Sequence, residues 1–247
     1  MWNRRDYDRV MEGGNRMTFA KQLEEYLGLK TMPVAVTFEA TPPPGVSRVA
    51  AAGPSSCTYW KRAAEGETFY TEAADHYQCP IGGYTHGVEL PPAQTQELQD
   101  VVGVMVGLGY IRQEEVPHIP RREQGFAVAV YAPLDQAAGE PDLVLIRGNA
   151  LQIMLLEEAS GAAGVGSSAA MMGRPTCAAL PAALKSQRGV ASLGCIGNRV
   201  YTDMADDELV YALPGEHLAA VVDKLAGIVH ANQELMKYHR GRMPAPA

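Results

Sequence analysis

A continuous apolar run, Leu143-Val144-Leu145-Ile146, followed at once by a helical stretch over residues 149–159, has the pattern of a strand covered on both faces. Such a strand needs packed layers on either side of its sheet. Further strand-like runs lie at 33–38, 68–71, 126–131, 190–193 and 208–213, and helical periodicity separates them. The expected fold class is therefore α/β or α+β, a mixed β-sheet with flanking helices. Helices are expected at 18–27, 55–66, 93–108 and 176–185. A long amphipathic one at 214–238 ends in His239-Arg240-Gly241-Arg242, as the helix dipole prefers. The Gly/Ala/Ser-rich stretch 160–173 reads as a loop or packed linker.

The polar start, 1–17, reads as a flexible leader and 243–247 as a disordered tail, leaving one domain at 18–242. Within it, two halves, 18–125 and 126–242, share a plan. Each has a strand, a cysteine at a helix start, then a cysteine in a glycine turn. The plan suggests two pseudo-symmetric half-domains whose cysteine turns meet at their junction.

A net charge of -7 argues against nucleic acid and anionic membrane surfaces as partners. No run approaches the roughly 18 apolar residues of a membrane helix, and no apolar segment follows Arg4-Arg5 to make a secretory signal. The expected location is the cytoplasm, where cysteines act as thiols or metal ligands more often than as structural disulfides.

Four cysteines are present, Cys57, Cys79, Cys177 and Cys195. The surroundings Ser55-Ser56-Cys57, Cys79-Pro80-Ile81-Gly82-Gly83, Pro175-Thr176-Cys177 and Gly194-Cys195-Ile196-Gly197 read as turns or element ends. Buried structural cysteine normally sits inside an apolar run. Thiolates hold iron–sulfur clusters, and hydrogen bonds to the sulfurs tune them. Glycine turns such as Gly194 and Gly197 around Cys195 offer backbone N–H donors. Cys57 and Cys177, at helix starts, have thiolates favoured by the dipole. The expectation is an iron–sulfur centre, 4Fe-4S in type, held by Cys57, Cys79 and Cys195 with Cys177 as fourth ligand or neighbour. Zinc is less expected, since structural zinc stitches close pairs in small loops.

The blocks Cys57-Thr58-Tyr59-Trp60-Lys61-Arg62, His76-Tyr77-Gln78-Cys79-Pro80-Ile81-Gly82, Ser192-Leu193-Gly194-Cys195-Ile196-Gly197-Asn198-Arg199 and Ala231-Asn232-Gln233-Glu234-Leu235-Met236-Lys237-Tyr238-His239 resemble the domain of unknown function 169 (DUF169). The resemblance covers roughly residues 18–242. It implies a soluble prokaryotic protein and carries no reaction with it.

Two further residues are candidates for catalysis. His76, three positions before Cys79, is placed to shuttle a proton, with His86 behind it. The alternative reading is a surface histidine hydrogen-bonded in a turn. Arg199 offers a planar fork for an anionic ligand, or else a salt bridge to Asp203 or Asp206. Trp60 reads as core packing or as the wall of a pocket. Gly-x-Gly-x-x-Gly after a strand, a phosphate loop and His-Glu-x-x-His are all missing. Three functions stay open: redox or sulfur chemistry on a small molecule, a metal-free thiol enzyme with Cys195 as nucleophile, and a ligand-binding module whose final helix is a candidate homodimer face.

Overall fold

Leu143 and Leu145 pack into one apolar core while Val144 and Ile146 pack into another, so this strand is buried on both faces. The computed structural model describes residues 17–166 and 174–243, with Met17 and Thr18 by backbone alone. The expected leader, save Met17, and the expected tail, save Met243, lie outside these residues.

Six strands form one sheet: β1 (Val34–Glu39), β2 (Phe69–Thr71), β3 (Val128–Pro133), β4 (Leu143–Asn149), β5 (Val190–Ser192) and β6 (Glu208–Pro214). Their order is β2-β3-β1-β4-β6-β5. All five strand pairings are antiparallel, narrower than the mixed sheet expected; the parallel contact is an isolated bridge between Arg48 and Tyr70. The α/β class is as expected.

The described helices are α1 (Met17–Leu27), α2 (Cys57–Ala64), α3 (Pro80–Thr85), α4 (Pro92–Gly107), α5 (Ala150–Ala162), α6 (Ala179–Ser186), α7 (Ile196–Thr202) and α8 (Leu218–Arg240), with short 3-10 turns between some of them. Helices α1, α5 and α8 cover one face of the sheet, through Leu23, Leu156, Val221 and Leu225 among others. Helices α2 and α6 cover the other, where Tyr59, Trp60 and Leu180 meet Tyr131, Leu143 and Leu145.

Several local expectations change. Helix α5 is capped by Asn149, which accepts from the Gln152 N–H while Gln152 bonds back to the Asn149 N–H. It runs to Ala162, into the stretch expected to be a linker, because Ser160 is held inside by a 2.8 Å bond to the Tyr211 hydroxyl. The rest of that linker, 167–173, lies outside the described residues. Val200 and Tyr201 belong to helix α7. Helix α4 is not amphipathic in use, for none of its residues is buried.

Strand β3, placed by sequence in the second half, lies between β2 and β1 of the first. Read from one edge the order is 2-3-1, and from the other 5-6-4. This order sets β1–β3 beside β4–β6, as two groups of three strands. The two units meet at the antiparallel β1–β4 pair, Ala35 opposite Val144. In this division Cys57 and Cys177 follow the first strand of each unit, and Cys79 and Cys195 follow the second.

Candidate cysteine centre

Every cysteine sits where a helical segment starts. Cys57 is the first residue of α2, Cys79 the N-cap of α3, Cys195 the N-cap of α7, and Cys177 lies in the 3-10 turn Thr176–Ala178 leading into α6. For Cys79 and Cys195 the glycine-containing segments proved to be short helices rather than open turns. Pro80 stands at the first position of α3, where its missing N–H costs nothing.

Short contacts link the neighbourhoods of the four. Ser55 Oγ lies 2.9 Å from Cys57 Sγ and 3.7 Å from Cys79 Sγ, so one hydroxyl reaches both sulfurs. Helix α3 begins at Cys79 and ends at Thr85, whose hydroxyl donates to the Gly82 carbonyl at 2.9 Å and lies near the Cys177 thiol. Thr176, beside Cys177, accepts the Cys195 N–H on its hydroxyl at 2.6 Å. The Asn198 N–H donates to Cys195 Sγ at 3.4 Å, and its side chain lies near Cys57. Ser56 Oγ bonds His76.

The thiols sense one another. Burial pushes the Cys57 thiol up, and the neighbouring Cys79 and Cys195 add to the rise. Burial drives Cys177 well above the ordinary thiol range, and Cys79, Cys195 and Cys57 all contribute. All four are free cysteines, two of them buried and two half-buried. Gly82 makes room for this arrangement. A Cβ there would lie 2.3 Å from Ser56 Oγ and 2.9 Å from Cys79 Sγ.

The glycines on either side of Cys195 are placed differently from expectation. The Gly194 N–H points to Ser192 Oγ at 3.3 Å, and its positive φ of 81° is the turn that brings the chain back into α7. Gly197 lies inside α7, where a Cβ would make only ordinary contact with the Tyr201 ring, 3.8 Å away. The N–H that meets the Cys195 sulfur is that of Asn198, a residue sequence reasoning paired with Arg199 as an anion site. The signal available in sequence was its place three residues after a helix N-cap.

His76 is fully enclosed, with Nδ1 bonded to Ser56 Oγ and Nε2 to Thr71 Oγ1, both at 2.9 Å. Both ring nitrogens are engaged, and burial beside His86 holds its pKa well below the usual histidine value. His86 bonds the Gly82 carbonyl through Nδ1 at 2.7 Å, and burial lowers its pKa to about 4. Arg199 bridges neither Asp203 nor Asp206. Its guanidinium donates to the carbonyls of Leu193, Ala205 and Glu208, pinning the chain on both sides of α7.

The donor set is four thiols, chemistry suited by type to iron–sulfur, zinc or copper(I). Both nitrogens of His76 are engaged, while the buried His86 keeps an unbonded Nε2. Among the described residues, no three His, Cys, Asp or Glu are gathered so as to hold a metal ion. A single zinc would need its sulfurs at about 2.3 Å from one point, whereas in a cluster each thiolate binds a different iron.

Fold and site together define an antiparallel α/β protein whose cysteines ring the helix starts on one side of its sheet. The DUF169 family, described as an uncharacterised ArCR, matches residues 22–224, and the chain belongs to it. It is also similar to the uncharacterized protein MJ0308 of Methanocaldococcus jannaschii, 30% identical over 159 residues, which is 61% of this chain and 67% of that protein. No solved structure matches. Among the described residues no helix is long and apolar enough to cross a membrane.

Proposed function

We propose that Cys57, Cys79, Cys177 and Cys195 hold an iron–sulfur cluster of the 4Fe-4S type and that the protein performs redox or sulfur chemistry on a small molecule. The observation that carries this reading is that buried Cys57 and Cys177 both feel the other thiols, while Ser55 and the Asn198 N–H contact three of the four sulfurs. Desolvation disfavours bare thiolates at Cys57 and Cys177, and bound iron would supply the positive charge that offsets it. The cluster itself would bring electron transfer or an iron open to a substrate. The protein's own part is to hold the thiolates and to donate hydrogen bonds through Ser55 and the Asn198 N–H.

The test is anaerobic purification and reconstitution with iron and sulfide, followed by visible absorption and an iron count. Brown protein with stoichiometric iron, lost in Cys→Ser variants, is the expected result. Protein that stays colourless and iron-free after reconstitution ends the proposal.

A metal-free thiol enzyme is the second reading, favoured by Cys195, which is half-buried and accepts an N–H on its sulfur. It requires Cys195 to alkylate far faster than the other three thiols. Neither His76 nor His86 is suited as its base: one has both nitrogens bonded, and burial lowers the other to a pKa of about 4, a weak base.

A further inference from the structure

We infer that the outer face of α7 docks a basic one-electron carrier protein, which exchanges its electron with the cysteine centre beside that face. Ile196 and Val200, one helical turn apart, are 72% and 66% exposed, and Leu193 and Tyr201 are exposed with them. From Leu193 to Thr202 the sole charged side chain is Arg199, and its guanidinium is turned back onto the carbonyls of Leu193, Ala205 and Glu208. The outward side of α7 is therefore an apolar patch without charge. Cys195, the half-buried N-cap of the same helix, adjoins it.

Size and charge select the occupant. The four side chains expose on the order of 400 Å², a size at which patches on monomers are often functional, but short of the roughly 800 Å² per partner of a stable dimer. Brief redox encounters use contacts at this lower end. The rim is acidic. The loop after α7 carries Asp203, Asp206 and Asp207, all exposed, and the bond from Arg199 to the Ala205 carbonyl holds it beside the helix. Lys61 matches Asp203, whereas Asp206 and Asp207 make no ion pair among the described residues. A second copy would set these carboxylates against their own kind across a two-fold axis, while basic residues around a carrier's centre would match them. In the exchange one electron leaves the reduced centre and reduces the carrier by one, or the reverse. The electron rests on the cluster reading; the contact does not.

Cytochrome c, a basic haem carrier, is the probe, titrated by calorimetry at low ionic strength into iron-free protein and into protein reconstituted with iron and sulfide. Saturable binding is expected, weakened at least tenfold in about 200 mM salt. Ile196→Ser with Val200→Ser, and separately Asp206→Asn with Asp207→Asn, should each weaken it at least fivefold, while Glu97→Gln with Asp100→Gln on α4 leaves it unchanged. All six positions are exposed, so the far-ultraviolet circular dichroism should stay native. No saturable binding, or an equal loss from the α4 pair, overturns the inference. So does a dimer in sedimentation that the two serines split, for the face then belongs to a second copy. In iron-loaded protein reduced with dithionite and freed of the excess, the two serines should slow haem reduction at least fivefold, and an unchanged rate also overturns the inference. Protein that takes up no iron ends the cluster reading and the electron exchange with it, whereas iron uptake without cytochrome binding ends the docking inference alone.

Discussion

The Asn198 N–H donates to Cys195 Sγ at 3.4 Å while its side chain lies near Cys57, so one residue of α7 stands between sulfurs separated by more than half the chain. Its position follows from α7 starting at Cys195, which puts the third residue's N–H within reach of the N-cap side chain. The same helix packs against α2, where Cys57 begins.

Asn198→Ala removes the buried side chain near Cys57 and leaves the backbone bond to Cys195. Loss of about 1–2 kcal/mol of stability is expected, in line with one buried hydrogen bond. The urea midpoint measures that loss. Iron retained after reconstitution should fall in the same variant, and full retention would show that the Cys57 contact is incidental.

Gly82→Ala places a methyl group against Ser56 and Cys79. Overpacking of this kind costs about 1–3 kcal/mol. Thermal unfolding should report it, together with faster alkylation of Cys79 as its sulfur is pushed aside.

The two histidines make stability depend on pH. Both have folded pKa values below the ordinary histidine value, so the unfolded chain binds more protons. Their contribution is complete above pH 6.5 and declines as pH falls toward the folded value, about 4 for His86. For His86 the full change is on the order of 3 kcal/mol. Denaturant unfolding at neutral pH and near pH 5 should show the decline, and His86→Leu should flatten it.

Arg147 bonds the buried Glu208 at 2.7 Å and the carbonyls of Thr202 and Asp203, securing the end of α7. Arg147→Met leaves Glu208 buried and uncompensated, and a loss of about 3 kcal/mol is expected. Adding Glu208→Leu should restore much of it. Urea titration of the single and double variants decides whether the pair is coupled.

Much of the architecture was readable from local pattern. Leu143 to Ile146 announced a strand between two layers, the Asn149 cap opened α5, and the periodicity of 218–229 marked a long helix, because these signals act between residues close in the chain. Strand direction and order were not readable. Nothing near Val128 says that it will lie between β1 and β2, since register depends on partners up to about a hundred residues away. Helix α4 misled because alternating apolar positions do not say whether a partner covers them.

The cysteines divide the same way. Their residue types and their places at element starts were determined by sequence alone, as was membership of DUF169, since the matching blocks are contiguous runs. Tertiary structure decided that the four thiols share one locus, that Asn198 rather than a glycine meets the Cys195 sulfur, and that His76 and Arg199 are engaged by hydroxyls and carbonyls. Hydrogen bonds across elements are set by how layers pack, and no run of neighbouring residues encodes that by itself.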